Sequence, residues 1–386
     1  AWWCPTADGS APRCWRRSHA GVSEPARKPV ASSTVAVDHG VVTDTAYPLR
    51  TDRLLLRMLR EEDIDTLTAY RNDPQVSALQ DWDLPYPRER AERLVAGHAD
   101  RDDVLPGKGT QLAIDLDGQL IGDIYVGLDE HAGVAEIGFS LAAEHHGKGY
   151  AVESVSAVVD DLVERLGVHR LVAELSPDNL ASARLLERLG MTFEYFAEKS
   201  FWWRGAWDDN LFYSMTGDER RAWRDRPLTP PDQVRLVELT HENVWSYRRL
   251  RTHRSQERFV ATMDRSFVDA LFPEPEEGHP VVAVLRGIEA DGEPAGFLMW
   301  ADAINEGTPD PYLWRFLIDR RHQGRGIGRR ALDQWTSELR ADGHSAVEAS
   351  WVQAPGGPEP FYLRAGFVLT GEMDDDEAVA RLELAE

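Results

Sequence analysis

Residues 144–151 read Glu144-His145-His146-Gly147-Lys148-Gly149-Tyr150-Ala151, and residues 321–328 read Arg321-His322-Gln323-Gly324-Arg325-Gly326-Ile327-Gly328. Each stretch lies between a predicted strand and a predicted helix. Glycine at such a junction permits a positive φ and lets a ligand approach the backbone without a Cβ in the way. The unpaired N–H groups and the dipole of the following helix attract negative charge, and Lys148 and Arg325 add charged donors. Either stretch alone is more typical of a simple strand-to-helix turn. Because both follow three strands and recur at nearly the same offset, both are predicted to bind phosphate.

The elements predicted around the two stretches occur in the same order. Alternating apolar residues around Asp117-Gly118 and Asp291-Gly292 predict hairpins, and apolar spacing near 3.6 predicts the helices. In the first half we predict strands at residues 54–57, 111–116, 119–126, 134–141 and 171–175, with helices beginning near Glu61 and at 152–166 and 181–189. In the second half we predict strands at residues 234–239, 281–285, 295–300, 312–318 and 346–352, with helices at 242–250 and 328–339 and a short one ending at Gly366.

Matching offsets indicate that the second half repeats the first. Gly324 lies 177 residues after Gly147 (324 − 147), and Gly366 lies 176 residues after Gly190 (366 − 190). Two landmarks that agree to one residue support a structural duplication.

Composition sets the remaining boundaries. The segment 1–48 has no sustained apolar period and is predicted to be a disordered tail. The segment 218–233 is rich in Arg, Pro and Asp and is predicted to be a linker. The two domains are then expected at 49–217 and 234–386.

The charge balance limits the partners. The chain has 43 Lys and Arg against 66 Asp and Glu, a formal net charge of −23. Nucleic acids and anionic membranes require a basic surface, so neither is expected as a partner. The acidity fits simple solubility or a cationic substrate equally well.

The remaining composition points to the cytoplasm. No run of about 20 apolar residues and no secretory signal is found in the sequence. The two cysteines, Cys4 and Cys14, cannot form a disulfide framework. His145, His146 and His322 lack metal-ligand spacing, so no metal is expected.

The second stretch fits the pattern Gln/Arg-x-x-Gly-x-Gly/Ala in full, and the first fits it with Glu144 in the leading position. This pattern is the central signature of the GNAT superfamily of N-acetyltransferases, which the chain resembles over both halves. The first half resembles Rim-type (ribosomal-protein) N-terminal acetyltransferases at residues 54–57, 136–139, 147–151, 179–182 and 186–191. The second half resembles bacterial diamine or polyamine acetyltransferases at residues 314–319, 321–326, 361–367, 370–372 and 380–382.

The resemblance implies an α+β fold of two tandem GNAT-type domains, each a mixed twisted sheet flanked by helices. It implies acetyl-CoA as cosubstrate, wedged where the fourth and fifth strands of each sheet splay apart. The first-half residues implied to contact it are Phe139, Ser140, Leu141, His146, Gly147, Lys148, Gly149, Tyr150, Ala151 and Asn179. The second-half residues are Phe316, Leu317, Ile318, Arg321, His322, Gln323, Gly324, Arg325, Gly326, Ile327 and Gly328. Asparagine at a helix N-cap has an equally good structural explanation.

The resemblance also implies direct attack of an amine on the thioester. An alkylamine with a pKa near 10 is mostly protonated at pH 7, so a carboxylate that accepts its proton assists the reaction. Glu136 stands on the strand where such enzymes often place a base, with Glu174 as the alternative. An exposed strand charge is the structural explanation of Glu136, and the second half has no carboxylate on the equivalent strand. A bulge in the fourth strand is expected to supply an oxyanion N–H near Ser140 or Leu317.

The leaving thiolate requires an acid. Tyr362 stands in the family position for that acid, and its alternative role is that of a core aromatic. Alignment on the glycines places Leu186 at the equivalent position of the first half, where Ser182 is the candidate replacement. Without a working acid, the first half would bind acetyl-CoA and catalyse only weakly.

These resemblances predict acetylation of the primary amine of a cationic small molecule, either a polyamine or an amine-bearing antibiotic. Acetylation of a protein N-terminus is the alternative enzymatic function. A non-catalytic CoA-binding or dimerisation module in one half is the alternative of another class. The expected partner is thus a cationic amine, and the sequence leaves homodimerisation open.

Overall fold

The computed structural model describes residues 47–273, 281–302 and 310–384. Nearly all of the predicted tail, with both cysteines, lies outside the described residues. By compactness the chain divides into two units. The first compact unit extends to Val168 and includes Val172–Leu175 and Lys199–Asp208, and the second contains His169–Leu171, Ser176–Glu198 and the chain from Asp209 onwards.

Strands and helices are numbered in chain order. The strands of the described residues are β1 (Leu49–Arg50), β2 (Leu55–Met58), β3 (Gly109–Leu116), β4 (Gln119–Leu128), β5 (Val134–Leu141), β6 (Arg170–Leu175), β7 (Thr192–Trp203), β8 (Ala206–Thr216), β9 (Val234–Glu238), β10 (Val282–Ala290), β11 (Glu293–Asp302), β12 (Tyr312–Ile318), β13 (Ala346–Val352), β14 (Val368–Asp374) and β15 (Glu377–Glu383). The α-helices are α1 (Ile64–Asn72), α2 (Pro74–Ser77), α3 (Arg88–Ala96), α4 (Tyr150–Glu164), α5 (Leu180–Leu189), α6 (Gly217–Arg224), α7 (Val244–Tyr247), α8 (Met263–Leu271), α9 (Ile327–Ala341) and α10 (Glu359–Ala365).

The strands form two mixed sheets. The first has the order β1-β2-β3-β4-β5-β6-β8-β7, and β1 to β5 pair antiparallel. The second has the order β14-β15-β13-β12-β11-β10-β9. Its one parallel pair in the described residues, β12 with β13, is registered only at Tyr312 with Glu348 and Leu313 with Ala349. Past Leu313 these two strands diverge, which is the splay expected between the fourth and fifth strands.

Each face of the second sheet packs against different helices. Trp335 and Leu339 of α9 pack with Leu298 and Trp300 on one face. The other face is covered by α7 and α8, whose core includes Tyr247 and Met263 together with Phe297, Met299 and Leu317 of the sheet. None of the helices in the described part of the chain has the length and apolar character needed to cross a lipid bilayer.

Most predicted elements are present. The strand β1 and the helices α2, α3 and α8 were not predicted, and three further features differ. The helix expected at 242–250 is confined to Val244–Tyr247. The stretch expected to be a linker begins with α6, because Thr216 and Glu219 form a capping box that starts a helix before the prolines. The pairs β7–β8 and β14–β15 were not predicted. Since β14 is exposed along its whole length, its sequence has no alternation to detect.

Candidate active site

The first glycine loop, residues 144–149, connects β5 to α4. Gly147 and Gly149 have φ values of 73° and 83°, in the left-handed region that favours glycine. A Cβ built on Gly147 would meet no atom within 4 Å, so the space beside this residue is open. The guanidinium of Arg53 donates to the carbonyl oxygen of Lys148 at 3.0 Å and forms an ion pair with Glu153 of α4, which supports the loop from one side.

The second glycine loop, residues 321–326, connects β12 to α9 with the same geometry. Gly324 and Gly326 have φ values of 77° and 75°, and a Cβ on either would also meet nothing within 4 Å. Each loop therefore presents the unpaired first N–H groups of a 15-residue helix to open space. This is the arrangement that binds phosphate at a helix N-terminus.

One side-chain hydrogen bond is common to both loops. The residue before the first glycine donates to the carbonyl oxygen of the last strand residue, five positions earlier. His146 Nε2 donates to Leu141 at 2.8 Å, and Gln323 Nε2 donates to Ile318 at 3.0 Å. These side chains therefore hold the loops in position. A histidine and a glutamine differ in chemistry, so the hydrogen bond that they share appears only in the structure.

A second shared feature lies on the neighbouring strand. A Cβ on Gly122 of β4 would stand 2.4 Å from the carbonyl oxygen of Ser140, and one on Gly296 of β11 would stand 2.5 Å from that of Leu317. Both distances are too short for any side chain. The last residues before each loop thus rest directly on a glycine backbone, a constraint that sequence analysis missed.

The charged side chains of the two loops are placed differently. Lys148 is exposed. Arg325 is buried, with Nε donating to the carbonyl oxygen of Thr229 at 2.8 Å and Nη1 2.9 Å from His322 Nδ1. Burial lowers the pKa of His322, which favours its neutral, accepting form. The expected phosphate donor Arg325 is therefore held by the protein itself, while Arg321 extends to solvent beside Asp319.

The other expected contact residues lie at the strand and helix ends that flank the loops. These are Phe139, Ser140 and Leu141 at the end of β5, Tyr150 and Ala151 at the start of α4, Phe316, Leu317 and Ile318 at the end of β12, and Ile327 and Gly328 at the start of α9. The open space beside the glycines and the two helix N-termini fit a pyrophosphate. The described residues contain no group of His, Cys, Asp and Glu side chains that could hold a metal ion.

Glu136 occupies a half-buried position on β5 opposite Gly127. Burial raises the pKa of its carboxyl group, and the carboxylates of Glu174 and Asp81 raise it further. On the same face, burial and the charge of Glu136 raise the pKa of the Tyr125 hydroxyl to about 12. A carboxylate with increased proton affinity is suited to accept a proton near neutral pH.

A buried network anchors this face of the first sheet. Asp123 of β4 is fully buried and accepts hydrogen bonds of 2.5 Å from the Tyr70 hydroxyl and from Arg71. Gln111 also donates to it. The charge of Asp123 is therefore balanced inside the protein and fixes α1 against the sheet.

Helix α5 has Asn179 at its start and contains the candidate acid Ser182 and Leu186, the residue at the position equivalent to Tyr362. The Asn179 side chain accepts a hydrogen bond from the Ser182 backbone N–H at 3.1 Å, which makes it the N-cap of the helix. Leu186 is fully buried in the core. Ser182 is half-buried in the first turn.

Tyr362 of α10 lies in an aromatic cluster. Its ring stacks on Trp351 with centroids 4.9 Å apart and an angle of 10°, and Phe361 and Phe367 pack edge-on against it. Burial raises the pKa of its hydroxyl, as do the nearby Tyr312 and Glu377. The hydroxyl therefore stays protonated at neutral pH. These ring contacts give Tyr362 the place of a core aromatic, and its role as the acid stays a prediction.

The expected strand bulge is found in one sheet only. The register of β5 with β4 is regular through Ser140, so no bulge presents an N–H there. In β12 the register against β11 shifts between Arg315 and Leu313, which leaves Trp314 as the extra residue. The bulge thus lies three residues before Leu317. It directly follows Leu313, the last residue of β12 in register with β13. Its position could not be read from sequence because no glycine or proline marks it.

Two family models match the chain. One described as an acetyltransferase (GNAT) domain covers residues 53–192, and one described as the acetyltransferase (GNAT) family covers residues 240–367. Each match contains one glycine loop.

Individual proteins similar to this chain are named as N-acetyltransferases. The chain is 31% identical over 154 residues to the uncharacterized N-acetyltransferase p20 of Bacillus licheniformis, covering 38% of this chain and 83% of that protein. It is 30% identical over 80 residues to the ribosomal protein uS5-alanine N-acetyltransferase of Escherichia coli, covering 21% of this chain and 41% of that enzyme. The solved structure of spermidine N-acetyltransferase from Vibrio cholerae, in complex with CoA and spermine, is 18% identical with a TM-score of 0.40, covering 44% of this chain and 99% of that one.

Proposed function

Because the chain belongs to the GNAT family of acetyltransferases, we propose that it transfers the acetyl group of acetyl-CoA to the primary amine of a cationic small molecule, such as a polyamine or an amine-bearing antibiotic. Acetyl-CoA is the cosubstrate of this family. The class of amine is our proposal.

The observation that carries the proposal is the carboxylate environment of Glu136. Glu136, Glu174 and Asp81 lie close enough for their charges to interact and raise the pKa of Glu136. A second positive charge on the acceptor would be attracted to this group. In addition, a raised carboxyl pKa reduces the mismatch with an ammonium group of pKa near 10, which favours proton transfer.

We assign each step to residues of the chain. Glu136 accepts a proton from the ammonium group and leaves a nucleophilic amine. The two glycine loops hold the pyrophosphate through backbone N–H groups. In the second domain the Tyr362 hydroxyl protonates the leaving thiolate, and in the first Ser182 takes that role.

A protein N-terminus is the second candidate acceptor. It is favoured by the similarity to an enzyme named for acetylating the alanine of ribosomal protein uS5. An α-amino group has a pKa near 8, so it needs less help from a base than an alkylamine does. A weak dependence of the rate on Glu136 would therefore favour this acceptor.

The test is acetyl transfer to spermidine, to an aminoglycoside and to an alanine-initiated peptide. We compare Gly147→Glu, which places bulk and negative charge against the pyrophosphate, with Gly118→Glu as its control. Gly118 has a φ of 85° and the same open surroundings, but it lies in the β3–β4 turn. Transfer to the cationic amines should fall in Gly147→Glu, which disables the first site, and stay unchanged in Gly118→Glu.

Transfer to the peptide alone would contradict the proposal and support the N-terminal acetyltransferase. Unchanged activity in Gly147→Glu would support the other alternative, in which the first domain is a non-catalytic module.

A further inference from the structure

A cavity of about 360 Å³ in the second compact unit lies beside the end of β12. Leu317 forms part of its wall, and most of the remaining wall comes from the segment between α7 and the start of α8. Five arginines line it, namely Arg248, Arg249, Arg251, Arg254 and Arg320. In a chain with a net charge of −23, this concentration of positive charge is local and specific.

Three of these arginines are already engaged. Arg248 forms an ion pair with Asp264 at 2.7 Å, and Arg254 is paired with Glu257. Arg320 donates to the carbonyl oxygen of Gly190 at 2.8 Å and to the Thr192 hydroxyl at 2.7 Å.

The other two arginines are available to a ligand. Within the described part of the chain, no carboxylate forms an ion pair with Arg249 or Arg251, and both side chains are exposed to the cavity. The carboxylate of Glu187, which also lines the cavity, is held by Ser255 through its backbone N–H at 3.0 Å and its hydroxyl at 2.8 Å. Two guanidinium groups thus face a space large enough for a small molecule.

Hydrogen bonds connect this cavity to the second glycine loop. The backbone N–H of Arg251 donates to Asp319 at 2.9 Å, and Asp319 also accepts from the backbone N–H and side chain of Arg321. Gln256 and Gln323 exchange hydrogen bonds between their amide groups. The arginine segment is therefore fixed against the loop, and the cavity lies beside the second site.

The equivalent face of the first sheet has the opposite chemistry. The closely packed Gly122 and Gly296 align the two sheets, so Asp123 of β4 corresponds to Phe297 of β11. Two residues further, Tyr125 corresponds to Met299. The charge of Asp123 is balanced by Arg71. The carboxylate that gives this face its character is therefore the half-buried Glu136 beside Tyr125, where the second sheet has apolar side chains. A face with this carboxylate and a cavity lined by arginines favour acceptors of different charge.

We propose that the second site acetylates a primary amine that also bears an anionic group, a carboxylate or a phosphate, held by Arg249 and Arg251. The inference rests on the proposed function and divides its substrates between the two sites. The amine nitrogen forms an amide bond as the thioester C–S bond breaks. Of the two protons that the ammonium group loses, one passes to solvent and the other replaces the proton that Tyr362 gives to the thiolate, so a thiol is released.

The test uses four matched amines, namely O-phosphoethanolamine, β-alanine, ethanolamine and spermidine. Calorimetry with the full chain measures binding without requiring turnover. The double variant Arg249→Gln/Arg251→Gln should bind both anionic amines at least about tenfold more weakly, since it loses charge-assisted hydrogen bonds. Arg235→Gln is the control, because Arg235 is exposed on β9 and does not line the cavity. Comparing the affinities for O-phosphoethanolamine and β-alanine identifies whether phosphate or carboxylate is preferred.

Turnover of the same amines by two loop variants gives the second readout. Gly324→Glu should abolish acetylation of the anionic amines, while Gly292→Glu, at an open turn glycine with a φ of 88°, should not. The inference is overturned if the anionic amines fail to bind, if the arginine changes leave binding unaltered, or if their acetylation survives Gly324→Glu. Acetylation of anionic amines with none of spermidine would instead refute the cationic acceptor and leave this inference standing.

Discussion

At the scale of single residues, Glu136 shows how position on a strand sets proton affinity. Its carboxyl group is half-buried and close to two other carboxylates, so its charged form is disfavoured in the folded protein. Such a group destabilises the native state at a pH where it must ionise. The same property that suits it to proton transfer therefore lowers stability.

We predict that Glu136→Gln stabilises the protein at pH 7 but not at pH 4. The folded pKa of Glu136 is raised above its unfolded value, so its favourable contribution is present below the unfolded pKa and is lost as pH rises through the folded pKa. Thermal midpoints of both proteins from pH 4 to pH 8 measure the effect, and the pH 4 value is the internal control. An offset that is constant across this range would contradict the shift.

The same substitution should reduce turnover of a cationic amine by about 10²-fold, the common scale for loss of a general base. The acetyl-CoA dissociation constant should remain unchanged, because Glu136 lies on the sheet rather than in the glycine loop. Recovery of the rate at high pH, where the free amine is abundant, would identify proton removal as the lost step.

Tyr362 allows a matched pair of substitutions. Tyr362→Phe keeps the stack on Trp351 and removes only the hydroxyl, so stability should change by at most about 1–2 kcal/mol. Turnover at the second site should fall by about 10²-fold with little effect on acetyl-CoA affinity. Ser182→Ala is the counterpart for the first site and should affect only the substrate acetylated there.

Turnover of cationic, anionic and peptide amines by Tyr362→Phe and by Ser182→Ala tests which residue is the acid at each site. If Tyr362→Phe leaves all activity intact while Ser182→Ala abolishes it, the chemistry belongs to the first domain alone. If neither change alters any acetylation, both acid assignments are wrong.

Motif analysis predicted the elements on which these residues lie better than it predicted which groups their side chains contact. The pattern around Tyr362 predicts a residue buried before a helix-ending glycine, and the structure has it there. Arg325 was expected to face phosphate, but its partner Thr229 is distant in sequence, so the bond that turns the guanidinium away was not detectable.

At the scale of secondary structure elements, the two close contacts on Gly122 and Gly296 define how each sheet meets its loop. In both cases the carbonyl of the residue before the strand end approaches the glycine more closely than a side chain permits. The contact sets the distance between β4 and the end of β5, and likewise between β11 and β12.

We therefore predict that Gly122→Ala and Gly296→Ala each destabilise the protein by about 1–3 kcal/mol, because the strands must move to admit a methyl group. Denaturant unfolding measures the loss. Gly133→Ala is the control, since a Cβ there would meet nothing closer than 3.9 Å. Equal stabilities for Gly296→Ala and Gly133→Ala would show that the strand can shift without cost.

Elements were predictable where burial imposes a period. The turn residues Asp117-Gly118 and the alternation of apolar residues in the sequence gave both strands of the first hairpin, and apolar spacing gave α4 and α9. No residue of the outer strands β7 and β14 is fully buried, so their pairing comes from neighbouring strands rather than from a pattern of their own.

At the scale of the whole molecule, the prediction of two tandem GNAT domains is confirmed by the two family matches. The offsets of the repeated glycines, which agree to one residue, indicated the duplication, and the signature of the glycine loops indicated the family. Net charge was less informative. A total of −23 fitted solubility and a cationic acceptor equally well. It also averages over an arginine-lined cavity that forms where α5, the segment before α8 and β12 meet in the second compact unit.

Two equivalent loops in one chain predict two molecules of CoA bound per chain. Calorimetric titration should give a stoichiometry near two, Gly147→Glu and Gly324→Glu should each remove one site, and the double variant should bind none. The physical reason is the same at both loops, since a glutamate side chain adds bulk and negative charge in the space that a pyrophosphate needs. Gly118→Glu and Gly292→Glu place the same side chain at open, positive-φ turn glycines and should retain both sites. A stoichiometry of one that Gly147→Glu leaves unchanged would show that the first loop has kept its fold and lost its ligand.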